Sequence, residues 1–148
     1  MLGEKGLIFT RILAATDGTE VALRGVKVAA SMAARDRAEL LLLTAVSMPQ
    51  HVAMAAKMDR QGVEAYVERM AQESLSSSVE LLRRMGVGAA VKAVIGPPAE
   101  AILAEIEFSG ADLIVMGLRS RYEPKDLILG SVSSRVAHRV KVPILLVP

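Results

Sequence analysis

Short apolar runs alternate along the chain with longer stretches in which apolar residues return every third or fourth position. The run Leu7 to Ala15 predicts a first strand, closed by the polar turn Thr16-Asp17-Gly18-Thr19. From Glu20 to Arg35 the spacing brings Val21, Ala22, Val28, Ala29 and Met32 to one side, which predicts a helix. Leu40 to Val46 is a nearly continuous apolar run, as expected of a strand covered on both faces. The stretch from Ser47 to about Lys57 is less regular and contains Pro49. Met48, Met54 and Met58 in or beside it either form an adaptable surface or cover core, and covering core is the commoner use.

Val63, Val67, Met70, Ser74, Ser78, Leu81 and Met85 then fall at spacings of three and four, and Gly86 supplies a stop. Ala89 to Ile95 predicts a third strand. Pro98 is tolerated at a first helical position and opens a helix to about Phe108, although the Pro97 side chain cannot cap it. Ala111 to Met116 predicts a fourth strand, followed by a loop from Gly117 to Leu129 and a helix from about Ser131. Pro143 to Val147 closes the chain as a fifth strand. Strands alternating with helices form right-handed βαβ units on a parallel sheet. The expected fold is therefore α/β, an open doubly wound five-stranded parallel sheet with helices on both faces. Ligands of such sheets sit beyond the carboxyl ends of strands at a switch point. Pro143 lacks a ladder donor, so the last strand belongs at an edge. That edge carries few charges and invites pairing with a second copy.

The length of 148 residues fits one domain, 1–148, burying roughly 68–70% of the unfolded surface. Apolar residues make up 52% and the formal charge is only +2, which excludes disorder. With no Cys, a disulfide scaffold is excluded too. No 18-residue uncharged apolar run spans a membrane and Met1 to Phe9 is too short for a secretory core, so the default location is cytoplasmic. The 18 Lys and Arg are interspersed with 16 Asp and Glu, and Trp is absent. Neither a phosphate-backbone footprint nor a base-stacking platform is present, which sets nucleic acid aside.

Two segments lie where a ligand of this fold should sit: the turn after the first strand and the loop after the fourth. In the second, Gly130-Ser131 starts a helix, where unsatisfied N–H groups and the helix dipole favour an anion. Ser131, Ser133 and Ser134 add hydroxyls, while Arg119, Arg121 and Lys125 add charge that Glu123 and Asp126 dilute. Local chemistry leaves a second reading open, in which Gly130 is a turn residue, Ser131 an N-cap and the basic residues a solvated face. Asp17 is either a turn residue, since Asp-Gly is a common turn pair, or a ligand contact at a strand's carboxyl end. His138 suits a helix C-terminus, and His51 stands alone without metal-ligand spacing. No nucleophile triad order, P-loop, paired carboxylates or dinucleotide fingerprint occurs, so nothing indicates an evolved catalyst.

The chain resembles the universal stress proteins. Their nucleotide-binding members carry Gly, two residues, Gly, nine residues, then Gly-Ser or Gly-Thr; here Gly117, Ser120 and Gly130-Ser131 hold those places. The blocks Ile12 to Thr19, Gly96 to Ile102, Ala111 to Gly117 and Val142 to Val147 are similar to the family's in family order. The resemblance implies an adenine nucleotide alpha hydrolase-like, Rossmann-like sheet that binds ATP or another adenine nucleotide. It implies that Asp17, beside Ala15 and Thr16, holds the adenosine portion and that Ala45 packs on adenine. Met116 and Gly117 would line base and ribose. Gly130, Ser131, Val132 and Ser133 would face the phosphates, with Mg²⁺ or Mn²⁺ bridging phosphate oxygens, and Arg119 and Ser120 of the motif loop are counted with the nucleotide-binding residues. It also implies a homodimer through the last strand, Pro143 to Val147.

Ser120 departs from the pattern. A glycine there would let backbone approach phosphate or take positive φ. If that geometry is required, serine costs on the order of 1 kcal/mol, about fivefold in affinity. Its hydroxyl can donate a hydrogen bond in compensation. The expected function is a nucleotide-responsive module in stress response. The alternatives are a nucleotide-free dimerising interaction module of the same family, and a slow ATPase or phosphotransferase.

Overall fold

The computed structural model describes residues 8–48, 50–55, 57, 59–118 and 130–148. Its strands are β1 (Arg11–Ala15), β2 (Glu39–Val46), β3 (Ala90–Ile95), β4 (Leu113–Gly117) and β5 (Ile144–Val147). The helices are α1 (Glu20–Asp36), α2 (Gln50–Ala55), α3 (Arg60–Met85), α4 (Pro98–Ser109) and α5 (Ser131–Arg139). The five strands form one sheet in the order β3-β2-β1-β4-β5, every neighbouring pair parallel. The chain moves outward from β1 to β3, then returns to the other side of β1, so the switch point lies between β1 and β4.

Alternation along each strand sorts the core onto two faces. Ile12, Ala14, Leu40, Leu42, Leu113 and Val115 pack with Val26 and Ala29 of α1 and Leu82 of α3. Leu13, Leu43, Ile114 and Met116 pack with Ala99 and Ile102 of α4 and Val136 of α5. Local chemistry sets the helix ends. Thr19 caps α1 by accepting from the Ala22 N–H at 3.3 Å, and Asp59 caps α3 by accepting from Gly62 at 2.8 Å. Gly86 ends α3 in the left-handed region, as the sequence predicts. Pro97 offers α4 no side-chain cap.

The amino ends of the strands are tied by one carboxylate. Asp112 accepts from the Thr10 N–H at 2.8 Å, the Thr10 hydroxyl at 2.9 Å and the Arg11 N–H at 2.9 Å. Burial pushes the Asp112 carboxyl up, but those hydrogen bonds outweigh it and hold it below the usual carboxylate range. Arg11 reaches Glu39 at 2.7 Å and the Ser109 carbonyl.

Several expectations need correction. The first strand starts at Arg11 rather than Leu7, and Ile8 ahead of it is exposed. The fourth starts at Leu113 because Asp112 is engaged in tying down β1. The irregular stretch after β2 contains the short helix α2, and Met54 within it is 78% exposed rather than covering core. Met58 lies outside the described residues. β5 is an edge strand, as Pro143 implies.

Candidate functional site

A cleft opens beyond the carboxyl ends of β1 and β4, at the switch point. β1 and its turn contribute Ala15, Thr16 and Asp17; β2 contributes Leu43 and Ala45; β4 contributes Met116 and Gly117. Gly130, Ser131, Val132 and Ser133 close it from the start of α5. Thus the candidate residues of the first turn, of β2 and β4, and of the α5 start all line one cavity. Arg119 and Ser120, like Arg121 and Lys125, lie outside the described residues.

The cleft lining is of two chemical kinds. Ala15, Leu43, Ala45, Val21, Ile102 and Met116 make it apolar. The first turn of α5 adds backbone and hydroxyl groups. Ser134 N–H donates to the Gly130 carbonyl at 2.9 Å, so the amides of Ser131, Val132 and Ser133 precede the helix's own ladder. Gly130, not Ser131, occupies the N-cap position, and it provides no side-chain hydrogen bond to these amides. The N-cap alternative for Ser131 is corrected accordingly: Ser131 is the first helical residue. The start of α5, with the positive end of its helix dipole, therefore borders the cavity.

Asp17 works within its turn. Its Oδ1 accepts from the Thr19 N–H at 3.0 Å and the Thr19 hydroxyl at 2.6 Å, which fixes the approach to α1. Gly18, at φ +83°, is required twice over, because a Cβ there would stand 2.9 Å from Cα of Ser74 in α3. Thr16 is buried, and its Oγ1 accepts from the Gly18 N–H at 3.1 Å, with the Ser78 hydroxyl 3.5 Å away. Gly117 meets a different demand. A Cβ at Gly117 would lie 2.5 Å from the Val21 carbonyl oxygen, so β4 passes under α1 only without one. His138 bonds within α5 through Nδ1 to the Ser134 carbonyl at 2.8 Å, and His51 is exposed on α2.

Thr19, Val21, Ala22, Pro98 and Ile102 also line the cleft and are absent from the sequence-based candidates. They belong to the first turns of α1 and α4, which follow directly on β1 and β3. The signal available for them is that any helix starting at a strand's carboxyl end contributes to that rim.

The universal stress protein family model matches residues 9–148. A universal stress protein of Thermus aquaticus is 32% identical over 142 residues, spanning 95% of this chain and 99% of that protein. A universal stress protein crystallised in complex with cAMP superposes with a TM-score of 0.69 at 24% identity, covering 96% of this chain and 98% of that one. The Archaeoglobus fulgidus universal stress protein in complex with dAMP superposes at 0.67 with 17% identity, covering 96% and 100%. At these identities the two structures carry the shared fold. The matched family model covers nearly the whole chain, and the chain belongs to the universal stress protein family.

Proposed function

We propose that this chain binds an adenine nucleotide, ATP by preference, in the cleft at the β1/β4 switch point. The observation that carries the reading is Gly130. Its backbone angles, φ −53° and ψ 155°, are open to any residue, and no described atom stands within 4 Å of where its Cβ would be. No described residue asks for glycine there, and the open space beside the α5 amides leaves room for a phosphate. The apolar lining suits a base packed near Ala45, with Asp17, Met116 and Gly117 beside the ribose. Similar proteins crystallised with cAMP and dAMP support the adenine preference. Arg119 and Ser120 belong to the same proposed phosphate contact.

Among the described residues no cluster of His, Cys, Asp or Glu could hold a metal by itself. A divalent cation, Mg²⁺ or Mn²⁺, would therefore be held through the nucleotide's phosphate oxygens, screening their charge. Asp17 is the only acidic or basic side chain among the described residues lining the cleft, and it is engaged with Thr19. That lining supports a nucleotide used as a regulatory signal in stress response rather than as a substrate turned over rapidly. The homodimer through β5 rests on its edge position and on an uncharged strand, Ile144 to Val147, left half-buried in the single chain. Among the described residues no helix is long and apolar enough to cross a membrane, and a cytoplasmic location accompanies this reading.

The test is to denature protein purified without added nucleotide and identify what it releases, then to titrate stripped protein with ATP, ADP, AMP and cAMP, each with and without Mg²⁺. Release of an adenine nucleotide and micromolar binding are expected. Neither release nor heat with any of the four would overturn the reading.

A further inference from the structure

Three large apolar side chains stand exposed at or beside the β3 edge: Val91 and Ile95 on the strand, at 48% and 64% exposure, and Phe108 of α4, at 82%, whose ring lies against Lys92. Among the described residues β3 is the outermost strand on the side away from β5. Its hydrogen-bonding directions follow from one contact. The Gly96 N–H donates inward to the Val46 carbonyl at 3.0 Å, and backbone groups alternate sides along a strand. Lys92 and Val94 therefore pair toward β2, while Val91, Ala93 and Ile95 turn their N–H and C=O groups outward. The same three residues share one face. Val94 packs into the α4/α5 core and Lys92 reaches Glu105 of α4, which leaves Val91, Ala93 and Ile95 on the α3 side, exposed.

Edges of this kind are normally blocked by a charge. The only charged residue of β3 is Lys92, and its charge is turned away from the edge. Nζ lies 2.7 Å from the buried Glu105 carboxylate and 4.6 Å from the Phe108 ring centroid. A two-fold axis normal to the sheet through Ala93 makes the edge complementary to itself. Ala93 then faces its own equivalent, Val91 faces the second copy's Ile95, and each of the three residues donates one backbone hydrogen bond and accepts one. In this register Lys92 stands opposite the second copy's Val94, so no like charges meet; a shift centring the axis on Lys92 would oppose the two ammonium groups.

We propose that a second copy of this chain pairs antiparallel along β3, centred on Ala93, as an interface separate from β5. The two edges are independent, since a dimer through β5 alone would place the two β3 strands at opposite ends of the joined sheet.

The chain contains no Cys, so Ala93→Cys introduces a single thiol at the predicted axis. In a hydrogen-bonded antiparallel pair the facing Cα atoms are about 5.5 Å apart, within reach of a short bis-maleimide. At micromolar protein, the variant should give predominantly cross-linked dimer, at least tenfold more than Ser31→Cys on the exposed side of α1. Adding Val91→Lys and Ile95→Lys to Ala93→Cys should remove at least nine-tenths of the product, with circular dichroism confirming the fold. Equal yields from Ala93→Cys and Ser31→Cys would overturn the proposal, including the case in which the edge serves a peptide of another protein. If the lysine variant does not fold, the comparison of the two single-cysteine variants alone decides.

Discussion

Gly117 and Gly130 stand at the two ends of the segment that joins β4 to α5, and both line the cleft. The described residues account for one of them and not the other. At Gly117 the main chain of α1 presses on β4 so closely that a Cβ would overlap the Val21 carbonyl, at 2.5 Å. Gly25 faces the same crossing from the helix side, where its Cβ would stand 3.0 Å from the Gly117 nitrogen. At Gly130 the space is open and the backbone ordinary. A glycine that packing demands says little about a ligand, whereas one that lines the cleft with open space around it leaves room for a ligand there. The proposed cradle at α5 therefore rests on Gly130, while Gly117 sets how closely α1 and β4 approach to form the cleft wall.

The comparison breaks most visibly at Gly117. Gly117→Ala should cost about 1–3 kcal/mol of folding stability through overpacking, read as a lower urea midpoint, and should weaken nucleotide binding because α1 is displaced. A variant as stable as the parent would mean that α1 gives way freely and that Gly117 is also a ligand-driven glycine.

The amino-end rim gives a control far from the cleft. Asp112→Asn should cost about 1–2 kcal/mol at neutral pH by removing charge-assisted hydrogen bonds, without changing nucleotide affinity. Because the Asp112 carboxyl is held below its ordinary value in the folded state, its stabilisation is present above the unfolded value of about 3.9. It is lost as the pH falls through the lowered folded value. The stability difference between the parent and Asp112→Asn should therefore shrink as the pH falls below the ordinary carboxylate range, measured by urea unfolding across the acid range.

The smallest effect is expected at Thr44, whose buried Oγ1 has no hydrogen-bond partner among the described residues. Thr44 alternates along β2 with Leu43 and Ala45, which line the cleft, so it faces the other side of the sheet. Thr44→Val should raise stability by about 1 kcal/mol with binding unchanged. A loss of stability instead would place an ordered water on that hydroxyl.

Legibility in the sequence follows the range of the physics involved. Helix and strand identity were readable because period and capping are local: Glu20 follows Thr19, and Met85 precedes Gly86. Boundaries slipped where a tertiary bond decides them, as when Asp112 leaves the strand pattern to hold Thr10 and Arg11. The short helix α2 was unreadable because its six residues, Gln50–Ala55, carry too little pattern. Motif and position point to the turn after β1 and to the α5 start as parts of the cleft rim. Neither points to the walls contributed by Val21, Ala22 and Ile102, since their place in the cleft depends on helices packing over strands distant in sequence. Nor does sequence distinguish the two glycines, which differ only in what surrounds them.

The most direct test is calorimetric titration of nucleotide-stripped protein with Mg-ATP, run beside Gly130→Ala and Gly130→Val. The parent should bind in the micromolar range. Both variants should keep their folding stability within about 1 kcal/mol, and binding should fall at least tenfold in the valine variant, equivalent to about 1.4 kcal/mol. No heat from the parent, or undiminished binding by Gly130→Val, would contradict the account.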